Sequence, residues 1–382
     1  MAADWGIYVH VPFCVSRCIY CAFASKPLED SDPSAYTDAL PLELERAVPP
    51  DLQVDTVYIG GGTPTALPAD FLRYLMEKLR ERADLSCLRE ATVEANPATV
   101  DRTMLTGLLD VGFDRLSLGV QSLQQRHLRM LGRAHDPRRA LEAFEEARRA
   151  GFRRISVDLI YGIPGQTRGE LEDDLRSIIE LRPEHVSAYE LTLEPGTEMT
   201  RLCSSGRLRS PGEDELVKMH RLVHRVLIAA GYQHYEISSY ALGEGEMSLH
   251  NTSCWGGGPY LGLGPSSHSF DGRRRRWWNA PDTARWAEAL LSGRRPPGGE
   301  EELTDLQRAT EMAMLGLRTS RGICLERIRA ETDLVPSGGG LAMLEELMSR
   351  GLLSTVGDRI VPAPKGMLMA DGIAASLGWS RT

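Results

Sequence analysis

The fold and chemistry of this chain are indicated by one stretch near its start, Tyr8-Val-His-Val-Pro-Phe-Cys14-Val-Ser-Arg-Cys18-Ile-Tyr20-Cys21. It places three cysteines within eight residues, directly after a short run of β-strand character. Three thiolates held together by a tight loop repel one another unless a cation neutralises them, and iron–sulfur clusters are bound by closely spaced cysteines of this kind. The stretch therefore predicts a cluster with Cys14, Cys18 and Cys21 as ligands. A cubane has four irons, so one iron is left open for a ligand from outside the protein.

A zinc site and free buried thiols account for the cysteines less well. A structural zinc site needs four ligands, usually as two pairs, and no second pair accompanies the triple. The remaining cysteines are isolated from one another: Cys87, Cys203, Cys254 and Cys324. Free buried thiols explain single cysteines better than a closely spaced triple, so the cluster is the favoured interpretation.

Composition describes an ordinary globular protein of two or three domains. The chain has 382 residues, 42% of them hydrophobic and 25% charged, and a net charge of -9 that gives no support to nucleic-acid binding. Seven cysteines, an odd number, do not fit a secreted disulfide framework, and an iron–sulfur cluster needs a reducing compartment. We see neither a signal peptide nor an apolar run long enough for a membrane span. These features predict a cytoplasmic protein with at most peripheral membrane contact.

Six segments of β-strand character alternate with helical segments between Gly6 and Leu191. This alternation predicts an α/β fold with a parallel sheet, either curled or doubly wound. Glycines, acids and cysteines fall at the C-terminal ends of the strands, where a βα barrel builds its active site. No GxGxxG follows the first strand, which disfavours a dinucleotide-binding fold. We therefore predict a partial (βα)6 barrel over residues 1–210.

The pattern changes after residue 210. Residues 211–298 are predicted to form an extension to the barrel, with a helix at 214–230, an aromatic strand-like segment at 232–240, a glycine-rich stretch at 256–264 and a basic run at 273–276 followed by two tryptophans. The sequence Pro296-Pro297-Gly298-Gly299 is typical of a linker. Three helices and two short strands beyond it predict a winged-helix-like domain over residues 299–382, a fold that does not by itself imply DNA binding.

Candidate ligand-binding residues follow the predicted strands. Gly60-Gly-Gly-Thr-Pro64 ends the second strand, and its glycines let backbone N–H groups approach a polar ligand closely. Glu94 ends the third strand, where its carboxylate can bind an ammonium or a ribose. Gln121, Arg133 and Asp158 occupy corresponding positions after later strands. Each is weak evidence alone, but their agreement predicts one site at the barrel mouth.

The spacing C-x3-C-x2-C resembles the signature of radical S-adenosylmethionine (SAM) enzymes, in which SAM chelates the open iron of a [4Fe-4S] cluster. Their fold, an open partial TIM-like barrel, resembles the six predicted units. The longer motifs resemble the family of oxygen-independent coproporphyrinogen III oxidases and their HemW-type haem-chaperone relatives. These motifs are Tyr8-Val-His-Val-Pro-Phe-Cys14, Gly60-Gly-Gly-Thr-Pro64, Glu94-Ala-Asn-Pro97, Gly119-Val-Gln-Ser122, Leu131-Gly-Arg-Ala-His-Asp136 and Asp158-Leu-Ile-Tyr-Gly-Ile-Pro-Gly-Gln-Thr167.

The resemblance implies roles for individual residues. Cys14, Cys18 and Cys21 would hold the cluster. The SAM site would be lined by Tyr8, Tyr20, Gly61, Gly62, Thr63, Glu94, Gln121, Arg133 and Asp158, with Glu190 as a sixth-strand contact. Dehydrogenases of the family have a fourth cysteine two residues after the third, where this chain has Phe23, so Cys21-Ala-Phe-Ala-Ser25 resembles the chaperone branch.

A second motif, His250-Asn-Thr-Ser-Cys-Trp255, resembles the HNxxYW haem-binding motif of that branch, with Cys254 in place of tyrosine. Imidazole and thiolate are both axial ligands of haem iron, so the resemblance predicts haem contacts by His250 and Cys254. The alternative for His250 is a histidine in a surface loop. The run Arg273–Arg276 is more simply a solvated face than a site for propionates or anionic lipid. Likewise, His220 and His224 are explained by a solvent-facing helix.

Three functions are compatible with these features to different degrees. The first is a haem chaperone of the HemW type that delivers haem to acceptor haemoproteins. The second is coproporphyrinogen III dehydrogenase, which oxidatively decarboxylates two propionates of a porphyrinogen to vinyls. The third, a winged-helix regulator, predicts DNA affinity that falls steeply with salt and is disfavoured by the acidic balance. The resemblance also implies an electron donor such as flavodoxin or ferredoxin, and it allows a homodimer.

Overall fold

The structure, a computed structural model, describes residues 5–381. Strands and helices alternate through its first half: β1 (Trp5–Val11), β2 (Phe13–Cys14), β3 (Lys26–Pro27), α1 (Ser34–Ala47), β4 (Val54–Gly61), α2 (Ala69–Arg82), β5 (Glu90–Ala95), α3 (Arg102–Asp110), β6 (Arg115–Gln121), α4 (Gln125–Leu131), α5 (Pro137–Ala150), β7 (Arg154–Tyr161), α6 (Arg168–Leu181) and β8 (His185–Glu190).

An extension to this unit contains α7 (Glu198–Ser204), α8 (Glu213–Ala229), β9 (Gln233–Glu236), β10 (Ser239–Ala241), α9 (Leu249–Trp255), β11 (Tyr260–Leu263), β12 (His268–Phe270), β13 (Arg275–Asn279), α10 (Thr283–Leu291) and β14 (Gly298–Glu302). The C-terminal part consists of α11 (Asp305–Leu317), β15 (Ile323–Cys324), α12 (Leu325–Thr332), β16 (Leu334–Pro336), α13 (Gly338–Ser349), β17 (Leu353–Val356), β18 (Arg359–Pro362), α14 (Pro364–Met367), α15 (Ala370–Ser376) and β19 (Trp379–Arg381).

A twelve-stranded sheet organises the described residues, in the order β14-β13-β12-β11-β1-β4-β5-β6-β7-β8-β10-β9. The predicted α/β class is confirmed: seven neighbouring strands from β11 to β8 run parallel, and the strands outside them are antiparallel. The seventh parallel strand, β11, comes from the stretch that was predicted only as glycine-rich. Within residues 5–381 the hydrogen-bonded order does not close into a ring.

The central strands are nearly continuous apolar runs in the sequence because both faces of the sheet are buried there. Six of the seven residues of β6 are buried, because helices cover one face of the sheet and the barrel interior covers the other. Helix α5 shows the matching pattern, since Ala140, Ala143, Phe144 and Ala147 recur at helical spacing and are all buried. Asp136 caps its first turn, and Gly151 ends it with a positive φ of 118°.

The C-terminal helices and the three-stranded sheet β15-β18-β17 surround a separate hydrophobic core that includes Ala313, Leu317, Ile328 and Leu344. The predicted linker is wrong in its second half, because Gly298 begins β14, which pairs along its length with β13. The predicted boundary between residues 298 and 299 therefore falls inside a strand of the large sheet. No helix in the described part of the chain is long and apolar enough to cross a membrane.

The prediction of a solvent-facing helix for His220 and His224 is also wrong. His220 is buried on α8, and its Nδ1 lies 3.2 Å from the Tyr161 hydroxyl at the end of β7. His224 is half-buried, with its ring centroid 5.2 Å from that of His234. Alternating arginines suggested exposure, but α8 packs against the barrel wall through the histidine side.

Candidate functional site at the barrel mouth

The cysteine loop is fixed by the glycine loop that follows β4. The N–H of Gly62 donates to Val11 O at 2.7 Å, and the N–H of Thr63 donates to Phe13 O at 2.7 Å. A Cβ at Gly62 would lie 2.4 Å from Phe13 O, so only glycine allows the two segments to approach this closely. The backbone N–H groups that we predicted would meet a ligand therefore hold the segment leading into Cys14.

A cavity of about 420 Å³ opens at the C-terminal ends of the parallel strands. This is the place that strand-end reasoning predicted, and the structure brings most of the predicted residues together in it. The cavity is lined by Cys14, Cys18, Tyr20, Cys21, Gly61, Gly62, Thr63, Glu94, Gln121, Arg133, Asp158 and Glu190. Phe23 lies at its rim with 65% of its surface exposed.

The three thiols share this cavity with two arginines, and one of them, Arg133, lies against Cys18. Arg133 Nη1 lies 3.5 Å from Cys18 Sγ, and Arg133 Nη2 donates to Gly119 O at 2.7 Å. Within residues 5–381 no three His, Cys, Asp or Glu side chains converge closely enough to form a ready metal site. The donor set nevertheless fits an iron–sulfur cluster, since three free thiols line one cavity.

Glu94 is a buried carboxyl held from two sides. The Tyr58 hydroxyl donates to Oε1 at 2.7 Å, and the N–H of Gly61 donates to Oε2 at 3.1 Å. Burial raises the pKa of Glu94 to about 7, and the nearby Asp158 adds to the rise, although both hydrogen bonds oppose it. A cationic ligand in the cavity would draw this carboxyl into its ionised form.

Asp158 and Gln121 also line the cavity, and Glu94 and Asp158 together form its acidic wall. Burial raises the pKa of Asp158 to about 6, while hydrogen bonds from Ser187 and Ser117 oppose the rise. Gln121 ends β6 at a bulge, with a φ of 68° that is rare for a residue other than glycine. Such strained backbone is found preferentially at functional sites, and here it brings Gln121 to the cavity lining.

Two of the residues predicted to contact SAM, Tyr8 and Glu190, lie outside the cavity or at its edge. Tyr8 does not line the cavity; its hydroxyl is hydrogen-bonded to His10 Nδ1 at 3.0 Å inside the barrel. Burial raises the pKa of Tyr8, so this phenol stays protonated at neutral pH. Glu190 is exposed at the outer rim, where it pairs with the Tyr161 hydroxyl.

The motif His250-Asn-Thr-Ser-Cys-Trp255 lies towards the N-terminal ends of the strands, where the His250 ring centroid is 5.2 Å from that of Tyr58, whose hydroxyl donates to Glu94. It forms α9, so the alternative of a surface-loop histidine is wrong: His250 is 5% exposed, and its Nδ1 is hydrogen-bonded to Thr56 Oγ1 at 3.0 Å. Burial raises the pKa of the Cys254 thiol to about 12, with the charge of Asp55 adding to the rise. Haem ligation by either residue stays a prediction.

Sequence reasoning missed the residues that support the site. Tyr58 is a mid-strand residue and read as ordinary core, yet it positions Glu94. His10, four residues before Cys14, links the Tyr8 hydroxyl to Ala24 O of the cysteine loop. Ser117 faces Asp158 and also lines the cavity. Ser117 lies between Leu116 and Leu118 in the sequence, and a polar residue between two apolar ones was the available signal for it.

Comparisons with known proteins agree with this geometry. The Radical SAM superfamily matches residues 8–178, and the HemN C-terminal domain matches residues 303–369. A Mycobacterium tuberculosis protein named "Heme chaperone HemW" is 36% identical over 378 residues, covering 98% of this chain and 94% of that protein. A Bacillus subtilis protein of the same name is 32% identical, covering 96% of this chain and 97% of that protein.

One solved structure shows how far the fold extends. Coproporphyrinogen III oxidase (HemN) from Escherichia coli, a radical SAM enzyme, superimposes with a TM-score of 0.83. The match covers 98% of this chain and 90% of that one, at 24% sequence identity. At this identity the likeness shows a shared fold and says nothing further about activity.

Proposed function

Because this chain belongs to the HemW family of radical SAM proteins, we propose that it binds haem and transfers it to acceptor haemoproteins. The observation that carries the proposal is the match over 98% of the chain with a relative named as a haem chaperone. Phe23 adds support, because dehydrogenases of this fold are expected to have a cysteine there. The radical SAM family implies a [4Fe-4S] cluster and SAM as cofactors.

In this proposal Cys14, Cys18 and Cys21 hold the cluster, and the acidic wall holds SAM. The cluster, when bound, supplies the one-electron reduction of the SAM sulfonium that family members use. Glu94 and Asp158 offer carboxylates to the cationic ligand, and the Tyr58 hydroxyl keeps Glu94 in place. Arg133 keeps its positive charge against Cys18 and the Gly119 carbonyl, which fixes the loop around the ligand.

The affinity for SAM is expected to fall about tenfold between pH 8 and pH 6, because Glu94 titrates near pH 7. Binding of a cation selects the carboxylate, so below the pKa a proton must leave before SAM binds. We would measure the Kd of SAM on cluster-reconstituted protein across this range. Glu94→Gln should bind more weakly at pH 8 and lose most of the pH dependence.

Glu145→Gln, an exposed change on α5, is the matched control and should behave as the wild type. If Glu94→Gln kept the full pH dependence of SAM binding, the Glu94 carboxyl would not be part of the SAM site. Asp158, with a pKa raised only to about 6, would then be the group to change next.

Haem transfer is tested directly with reconstituted protein under anaerobic conditions. Haem is titrated while the Soret band is followed, and the loaded protein is then mixed with an apo-haemoprotein. We expect saturable uptake followed by transfer of the Soret signal to the acceptor. Failure to take up haem would overturn the proposal. Formation of a divinyl porphyrinogen from coproporphyrinogen III, given SAM and reductant, would establish the dehydrogenase instead.

The cysteine loop also bears on location and partners. We propose a cytoplasmic location, since three clustered thiols need a reducing compartment. A flavodoxin or ferredoxin is the proposed electron donor, and the exposed Phe23 beside the cysteine loop offers an apolar contact for it. A homodimer stays a prediction, and size measurement of the reconstituted protein in solution tests it.

A further inference from the structure

A second cavity, of about 530 Å³, lies between α9 and the C-terminal unit and is called the junction cavity. Its volume falls in the range of roughly 300–1,000 Å³ that is usual for small-molecule sites. The wall on the α9 side contains Trp255 and Met247, and the opposite wall contains Met312 of α11 and Ile323 of β15. The cavity is thus bordered by a large aromatic ring and flexible apolar side chains, at the junction of two separately packed units.

Positive charge is concentrated on this cavity. Four arginines line it, namely Arg308, Arg321, Arg327 and Arg359, against one acidic residue, Glu244, in a chain whose net charge is -9. By contrast, four carboxylates and two arginines line the barrel mouth. A dianionic ligand is therefore favoured at the junction and disfavoured at the barrel mouth.

Two of these arginines, Arg321 and Arg359, have no acidic partner among the described residues. The other two, Arg308 and Arg327, are paired with Glu331, at 3.0 Å and 2.8 Å. Arg359 donates only to the backbone carbonyls of Arg321 and Gly322, at 2.6 Å and 2.8 Å, and the exposed side chain of Arg321 has no hydrogen bond or ion pair in residues 5–381. Guanidinium groups of this kind bind carboxylates in bidentate geometry.

Helix α9 presents different residues to its two sides. His250 faces Thr56 of β4, whereas Thr252 and Trp255 line the junction cavity. The buried Oγ1 of Thr252 has no hydrogen-bond partner in the described structure. Trp255 is also covered by the Arg318 guanidinium, 5.3 Å from its ring centroid. The motif thus offers an aromatic face to the cavity while its histidine is occupied elsewhere.

We propose that the junction cavity binds a planar, largely apolar macrocycle with two carboxylates. This inference rests on the proposed function, under which the macrocycle is haem. The macrocycle packs against Trp255, and its carboxylates pair with Arg321 and Arg359. The lining also includes the thiol of Cys324 and the thioethers of Met247 and Met312, donor types that bind haem iron. No histidine of residues 5–381 lines this cavity.

The test compares haem affinity in five full-length proteins: wild type, Arg321→Glu, Trp255→Ala, His250→Ala and the control Arg329→Glu. Arg329 is exposed on α12 outside the cavity, so its reversal makes the same change in net charge. We expect Arg321→Glu to weaken binding about tenfold or more, since a charge-assisted hydrogen bond is replaced by repulsion. Trp255→Ala should weaken it similarly, and Arg329→Glu should leave it unchanged. Thermal melting checks that each variant is folded.

A dimethyl ester of haem, which lacks the carboxylates, separates the charge effect from general damage. Its affinity should be the same for wild type and Arg321→Glu. If Arg321→Glu and Trp255→Ala bind haem as the wild type does, while His250→Ala loses it, the junction cavity is wrong and the proposed function stands. If the wild type takes up no haem, the proposed function fails and this inference fails with it.

Discussion

Replacing Cys18 with serine is expected to abolish the iron–sulfur cluster while the barrel stays folded. A serine hydroxyl is far less acidic than a thiol and does not replace a thiolate as an iron ligand. The segment is held by its backbone, since the N–H of Ile19 donates to Leu131 O and the N–H of Met199 donates to Ile19 O. Iron and acid-labile sulfide measured after anaerobic reconstitution should fall to background, with an unchanged circular dichroism spectrum.

Cys87→Ser is the matched control, because Cys87 is exposed and does not line the mouth cavity. It should retain the iron and sulfide of the wild type. Near-normal iron and sulfide in Cys18→Ser would contradict the ligand assignment. Loss of both in Cys87→Ser as well would point to general thiol damage instead of a specific ligand set.

The barrel was predictable because its signals are local and repeat. Helix α2 (Ala69–Arg82) and strand β7 (Arg154–Tyr161) are two of the alternating segments that the sequence predicted between Gly6 and Leu191. Parallel strands buried on both faces are short, nearly continuous apolar runs in the sequence, and here each is followed by a helical segment. The location of the mouth cavity also followed from topology, since polar residues at several strand ends meet at one edge.

The support of the site was less predictable, because it depends on which side chains meet across strands. Glu94 was identified as a strand-end acid, but its raised pKa depends on burial beside Tyr58 and Asp158. Tyr58 does not differ in sequence pattern from a core residue, and the position of Glu94 at a strand end does not show how deeply its carboxyl is buried. The glycine loop was identified correctly as a close-approach segment, yet its amides meet the cysteine loop and Glu94.

The placement of α9 was the least predictable feature. Its sequence, rich in small polar residues and followed by three glycines, is typical of a loop. The helix forms because its first amides find an acceptor that is distant in sequence: Glu90 accepts from the N–H of Leu249 at 3.0 Å and of His250 at 3.1 Å. A contact across about 160 residues leaves no periodicity to detect.

Glu90→Gln is accordingly expected to destabilise the protein by about 3 to 5 kcal/mol, as is usual when one partner of a buried ion pair is removed. Glu90 is fully buried, and its Oε2 lies 3.7 Å from Arg115 Nη1 and 3.6 Å from Arg154 Nη1. An amide would leave the buried guanidinium of Arg115 without its countercharge and weaken the capping of α9. Chemical denaturation, followed by circular dichroism, measures the change in the free energy of unfolding.

Glu81→Gln removes an exposed carboxylate that lies 2.6 Å from Lys78 Nζ, and it should cost less than about 1 kcal/mol. The comparison separates the buried charge from the general effect of a Glu-to-Gln change. An equally small effect for Glu90→Gln would mean that α9 is held mainly by apolar packing. Because α9 forms one wall of the junction cavity, a large effect should be accompanied by weaker haem binding in the fraction that stays folded.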